Sequence, residues 1–127
     1  MIKNVIINKI IKNIKKINSV NAIYLYGSYA NGRATSFSDI DICIITDKKI
    51  NRNVKADIIS NSNEKIDISL FWDLPVIIRY KVLKEGKEIF RRNDDYLNDI
   101  KLKTIREYID FRPVIKRFGE AVGVNYE

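Results

Sequence analysis

Asp39, Asp41 and Asp67 are the side chains of this 127-residue chain whose types and spacing point most directly to chemistry. Asp39 and Asp41 open the run DIDICIIT and stand at i and i+2, so on a strand both would leave the same face about 6.5 Å apart at Cα. At that separation two carboxylates can lean onto the same cation or pair of cations, and oxygen ligands suit hard ions such as Mg²⁺. Asp67 sits in a second alternating run, KIDISLF, with Ile66, Ile68 and Leu70 on one side and Asp67 and Ser69 on the other. If the two strands pair with their polar faces aligned, three carboxylates converge. The same spacing describes Asp39 as a cap and Asp41 as a solvent-facing strand residue, and spacing alone does not choose. Upstream, Gly27-Ser28 ends an apolar run, Ala22 to Tyr26. A glycine there lets backbone approach a ligand, and the N–H groups that follow are a natural phosphate seat. A tight turn with a serine cap is an equally ordinary reading of that pair.

Few other chemistries are open. The chain has one cysteine, Cys43, and no histidine, which removes His-dependent nucleophilic catalysis, His-ligated zinc and an internal disulfide. Hydrophobic residues make up 46% and charged residues 31%, the balance of one soluble globular domain spanning 1–127. No apolar run approaches the roughly 20 residues that span a bilayer, and no signal-peptide pattern opens the chain, so a cytoplasmic protein with no membrane partner is expected. The formal charge of +7 fits a polyanionic partner, but it also follows from an Ile/Lys/Asn-rich composition. No Lys/Arg run with interleaved aromatics marks a nucleic-acid surface.

Residues 2–18 place Ile7, Ile10, Ile11, Ile14 and Ile17 at helical spacing, with lysines opposite. A short strand over 22–26, a loop over 33–37 and a strand over 39–46 follow. Residues 47–65 are polar, with a weak apolar patch, and suit either a short helix or an irregular strand. After the strand over 65–71, Leu74-Pro75 opens a helix that ends before Gly86, and 87–91 reads as a charged edge strand. Asn93-Asp94 caps a final helix in which Leu97, Ile100, Ile105, Tyr108, Ile109, Phe111 and Ile115 recur, with Pro113 expected to kink or divide it. One small mixed sheet backed by helices, an α+β arrangement of α/β type, accommodates this order.

Gly27-Ser28, then Gly32, Ser38-Asp39-Ile40-Asp41 and finally Asp67 in Ile-Asp-Ile-Ser-Leu together resemble the nucleotidyltransferase superfamily related to DNA polymerase β, and in compactness its minimal nucleotidyltransferase (MNT) group. VLKEGKEIFRRND and REYIDFRPVIKRF are similar to that family's last strand and long C-terminal helix. The resemblance implies the polymerase β-like fold and transfer of a nucleoside monophosphate, AMP from ATP, to an acceptor hydroxyl. It assigns two Mg²⁺ ions to Asp39, Asp41 and Asp67, with Asp67 ligating the acceptor-side ion or taking the acceptor's proton. Gly27 and Ser28 would seat the terminal phosphates, with Ser38 and Arg33 as further nucleotide contacts. Arg33 enters because Asn31 stands where many members carry a basic residue.

MNT proteins often pair, as antitoxins, with all-helical HEPN proteins and place AMP on a tyrosine of that partner. The resemblance therefore implies a HEPN-family partner and an NTP, with a homodimer also open. Aminoglycoside-type nucleotidyl transfer and a non-catalytic module that neutralises a partner by contact are the competing readings. Transfer to an RNA end fits less well, because no RNA-binding domain follows.

Overall fold

The computed structural model describes residues 2–27 and 39–122. The elements run α1 (Ile2–Ile14), β1 (Val20–Tyr26), β2 (Ile40–Thr46), α2 (Arg52–Ile59), β3 (Ile66–Leu70), a 3-10 turn (Phe71–Asp73), α3 (Val76–Glu85), β4 (Lys87–Arg91) and α4 (Asp94–Val122). The four strands form one mixed sheet in the order β3-β2-β1-β4. β1 runs antiparallel to both β2 and β4, while β2 and β3 are parallel. A parallel neighbour requires a crossover, and α2 supplies it. Its start is set by Asn51, whose side chain accepts from the Val54 N–H, and Val54 and Ile58 face the core. The ambiguous segment is thus a helix, held by one cap and a narrow apolar edge.

The period-2 alternation of β1, β2 and β3 divides the core in two. On one face Ile23, Leu25, Ile40, Ile42, Ile44, Ile66, Ile68 and Leu70 pack against Ile7, Ile10 and Ile14 of α1 and Ile58 of α2. Burying a side chain of this size contributes about 1.5–3 kcal/mol, so this aliphatic layer is the main source of stability. On the other face Ala22, Tyr24, Cys43, Ile45 and Phe71 meet Val82 of α3 and Leu97 and Ile100 of α4. α3 and α4 are joined by a stacked Tyr80–Tyr108 pair, with centroids 3.8 Å apart, and by Arg79 against Glu107 at 3.5 Å.

Two expectations change. The first helix stops at Ile14, with Ile17 in the turn that follows but still packed on the aliphatic core. α4 is one helix through Pro113, not two. By that point it has left the packed body: Phe111 and Val114 are exposed, so a carbonyl that loses its proline-blocked bond can be hydrated. The apolar recurrence of α4 also splits between faces. Leu97, Ile100 and Thr104 are buried, whereas Leu102, Ile105 and Ile109 face solvent.

Candidate functional site

Strand register brings the carboxylates together. In the parallel β2/β3 pair Asp41 lies directly opposite Asp67, with Ile40 opposite Ile66 and Cys43 opposite Ser69. Adjacent strands are about 4.8 Å apart, so the two carboxyl groups share one face at one end of the sheet. Asp39 stands immediately before β2, exposed, beside this pair. Asp41 is half-buried, and its pKa is raised by burial and by the like charges of Asp67 and Asp39. Asp41 therefore feels both of the other carboxylates.

Gly27 has φ of +75°, the left-handed region that glycine adopts without strain. A Cβ at this position would lie 2.6 Å from Asp41 Oδ2, a collision. The glycine is thus required twice, by its backbone and by the carboxylate packed against it. β1 delivers this turn beside the acidic pair because Tyr26 is the antiparallel partner of Asp41. Tyr26 reaches across β2, its Oη lying 3.5 Å from Ser69 Oγ on β3. Burial pushes the Tyr26 phenol up; the contact with Ser69 opposes this, and Asp41, Cys43 and Asp67 add to it. The ring therefore borders the carboxylates on the side of the apolar core.

Cys43, next inward on the same face, is fully buried, and burial pushes its thiol up to about 12. It stays a thiol at neutral pH and is a packing residue. Ser28, Arg33 and Ser38 lie outside the described residues. Among the described residues no three acidic or thiol side chains close into a ready-made ligand set. Burial first, and then the like charges of Asp67 and Asp39, raise the pKa of Asp41. The donor set is all oxygen, anionic and open on one side, which fits hard divalent cations better than soft or imidazole-seeking ones.

The sequence model named Polymerase beta, Nucleotidyltransferase matches residues 8–95, which take in β1 to β4 and all three carboxylates. The chain belongs to the polymerase beta nucleotidyltransferase family. Among relatives of this nucleotidyltransferase, it is 39% identical over 74 residues to "Putative protein adenylyltransferase MJ1547" of Methanocaldococcus jannaschii. That match takes in 58% of this chain and 58% of the relative, little more than half the length of each. The fold of a toxin–antitoxin crystal structure with AMP-PNP is similar at a TM-score of 0.75 and 24% identity, covering 92% of this chain and 98% of that one. A structure of a tri-AMPylated Shewanella oneidensis HEPN toxin in complex with MNT antitoxin gives 0.70 at 21% identity, covering 95% and 98%. At these identities the likeness is one of fold, and it includes the long C-terminal helix of this family member.

Proposed function

We propose that this nucleotidyltransferase moves AMP from ATP onto a tyrosine hydroxyl of a HEPN-family protein and acts as that protein's antitoxin. The single observation that carries the catalytic half is the register that sets Asp41 against Asp67, with Asp39 at the strand head and Gly27 packed on the Asp41 carboxylate. The acceptor half is supported by the relative named as an adenylyltransferase and by the folds of the toxin–antitoxin complexes.

In the transfer, a new bond forms from the acceptor oxygen to the α-phosphorus, and the bond to the bridging oxygen breaks to release pyrophosphate. Two Mg²⁺ ions held by Asp39, Asp41 and Asp67 would supply charge neutralisation of the attacking and leaving oxygens. Asp67, on the neighbouring strand, takes the acceptor's proton or orients the hydroxyl. Gly27 leaves open the space beside Asp41 that a side chain would fill, where the triphosphate would pass, and Ser28, Ser38 and Arg33 serve as further nucleotide contacts. Tyr26 walls the carboxylates off from the core behind them.

The test is incubation with ATP labelled at the α-phosphate, Mg²⁺ and a HEPN-family protein from the same genome. The expected result is label on a tyrosine of that protein, lost with Asp39→Ala and with Asp41→Ala. No transfer by the wild type, or equal transfer by the variants, overturns the reading. Neutralisation of the partner by an Asp39→Ala/Asp41→Ala chain would favour a contact-only module.

A further inference from the structure

Asp41 and Asp67 stand on strands that are secured differently. β2 is paired on both sides, whereas β3 is an edge of the sheet, five residues long and hydrogen-bonded to β2 alone. The outer side of β3 meets no strand: the Ile66 N–H bonds to Asn63 and the Ile68 N–H donates to Ser62 Oγ, in the turn that leads into it. A ladder to a single neighbour leaves the twist between two strands soft, over a range of about −10 to −35°. Groups that must act together are held to within about 0.5 Å. Pairing with β2 thus sets Asp67 opposite Asp41 without fixing the distance between their carboxyl groups.

Tyr26 supplies a second tie. Its backbone is the antiparallel partner of Asp41, and its side chain crosses β2 to place Oη 3.5 Å from Ser69 Oγ. Ser69 is two residues beyond Asp67, so it leaves the same face of β3. Among the described residues no other side-chain hydrogen bond joins β3 to another strand. The Tyr26 ring packs on the core cluster that contains Tyr24, Cys43 and Val82, which holds it in place if β3 turns away. Tyr24, two residues earlier on β1, reaches the opposite way, its Oη donating to Glu88 of β4 at 3.0 Å. The two tyrosines of β1 therefore brace the two edge strands, and the strand braced by Tyr26 is the one that carries Asp67. Its contact is longer than the 2.7–2.8 Å typical of hydroxyl pairs, about the limit of a hydrogen bond, so it adds little stability.

We propose that Tyr26 and Ser69 are positioning residues: by joining β1 to β3 over β2 they fix Asp67 relative to Asp41, and with it the spacing of the ions that these carboxylates hold. This role depends on the binding of two ions by Asp39, Asp41 and Asp67.

Electron paramagnetic resonance of Mn²⁺ bound to the whole chain with a non-hydrolysable ATP analogue is the test. Two Mn²⁺ ions about 3.5–4 Å apart give a spin-coupled spectrum that depends steeply on their separation, which a loss of stability alone does not alter. Tyr26→Phe and Ser69→Ala should each weaken the coupled spectrum and lower the affinity for the second ion about three- to tenfold, less than the ~10–100-fold lost when a group bonded directly to a ligand is removed. The melting temperature should be nearly unchanged. Tyr26→Phe/Ser69→Ala should be no worse than either single variant, since both break one contact, and Ser69→Thr, which keeps a hydroxyl, should bind both ions as wild type. Wild-type coupling in Tyr26→Phe and Ser69→Ala overturns the proposal, as do losses that add in the double variant or a Ser69→Thr chain as impaired as Ser69→Ala. A wild type that shows no coupled Mn²⁺ pair overturns the two-ion reading of the corner, and this role with it.

Discussion

The two ends of β2 each carry an aspartate in an exposed position or close to one, and they are built in opposite ways. At the far end the Asp47 carboxylate accepts a 2.8 Å hydrogen bond from the buried Asn21 amide. Thr46 hydroxyl donates to the Asp47 carbonyl, and the Thr46 carbonyl accepts from Trp72 Nε1 and Tyr96 Oη. These contacts tie Asp47 and Thr46 to Asn21, Trp72 and Tyr96, a structural role. At the near end Asp41 faces Asp67 and Asp39, and its pKa is raised where a partnered carboxylate's would be lowered. Glu88 shows the contrasting case: burial acts to raise its pKa, but hydrogen bonds from Arg91 and Tyr24 and the charges of Arg91 and Lys101 outweigh it and hold the carboxyl below its usual range. Asp47 and Glu88 thus have donors beside them, whereas Asp41 has like charges, an arrangement that a bound cation would relieve.

This contrast can be broken most severely at Asp41. Asp41→Ala should lower AMP transfer by on the order of 10³-fold or more with an unchanged circular dichroism spectrum, whereas Asp47→Ala should leave the transfer rate per folded molecule unaltered. Next comes Gly27→Ala, which forces a side chain into a left-handed backbone and against Asp41 Oδ2. It should cost about 1–2 kcal/mol of stability, visible in urea melts, and also reduce transfer, because relief of the collision displaces Asp41. Asp47→Ala takes from the buried Asn21 amide the shorter of its two acceptors, leaving the Ser19 carbonyl at 3.3 Å, and should cost about 1 kcal/mol.

The smallest effect has the opposite sign. The folded pKa of Asp41 lies above the ordinary aspartate value, so the metal-free fold binds this proton more tightly than the unfolded chain does. By linkage, stability falls as pH rises from the unfolded pKa through the folded one, and the penalty is fully present at neutral pH. Asp41→Asn should therefore raise the melting temperature in EDTA at pH 7, with the gain shrinking as the pH is lowered through that window. A variant that melts below wild type at pH 7 would show that Asp41 is partnered after all.

The alternation in DIDICIIT and KIDISLF was enough to place Asp41 and Asp67 on matching faces, because parity is a property of each strand alone. That the strands are parallel and in a register setting those two residues opposite depends on the crossover, and residues 47–65 signalled it only through Asn51, Val54 and Ile58. Gly27 was legible as a turn, but its contact with the Asp41 carboxylate was not, since that is a tertiary contact between strands. The division of α4 into a buried face with Thr104 and an exposed one with Leu102, Ile105 and Ile109 was hidden for a different reason. Helical periodicity reports apolar spacing and does not say which side a neighbour covers, and a buried threonine carries no apolar signal. Of the two outcomes expected at Pro113, division of the helix does not occur, because the rule against interior proline weakens where the helix is solvated.

The central claim is that the corner formed by Asp39, Asp41 and Asp67 holds divalent cations. Electron paramagnetic resonance titration of Mn²⁺ into the protein with a non-hydrolysable ATP analogue tests it without reference to any acceptor. The account predicts saturable Mn²⁺ binding by the wild type that is displaced by Mg²⁺ and is weakened at least tenfold by Asp41→Asn and by Asp67→Asn, with Asp47→Asn binding as wild type. Equal Mn²⁺ binding by the wild type, Asp41→Asn and Asp67→Asn would contradict it.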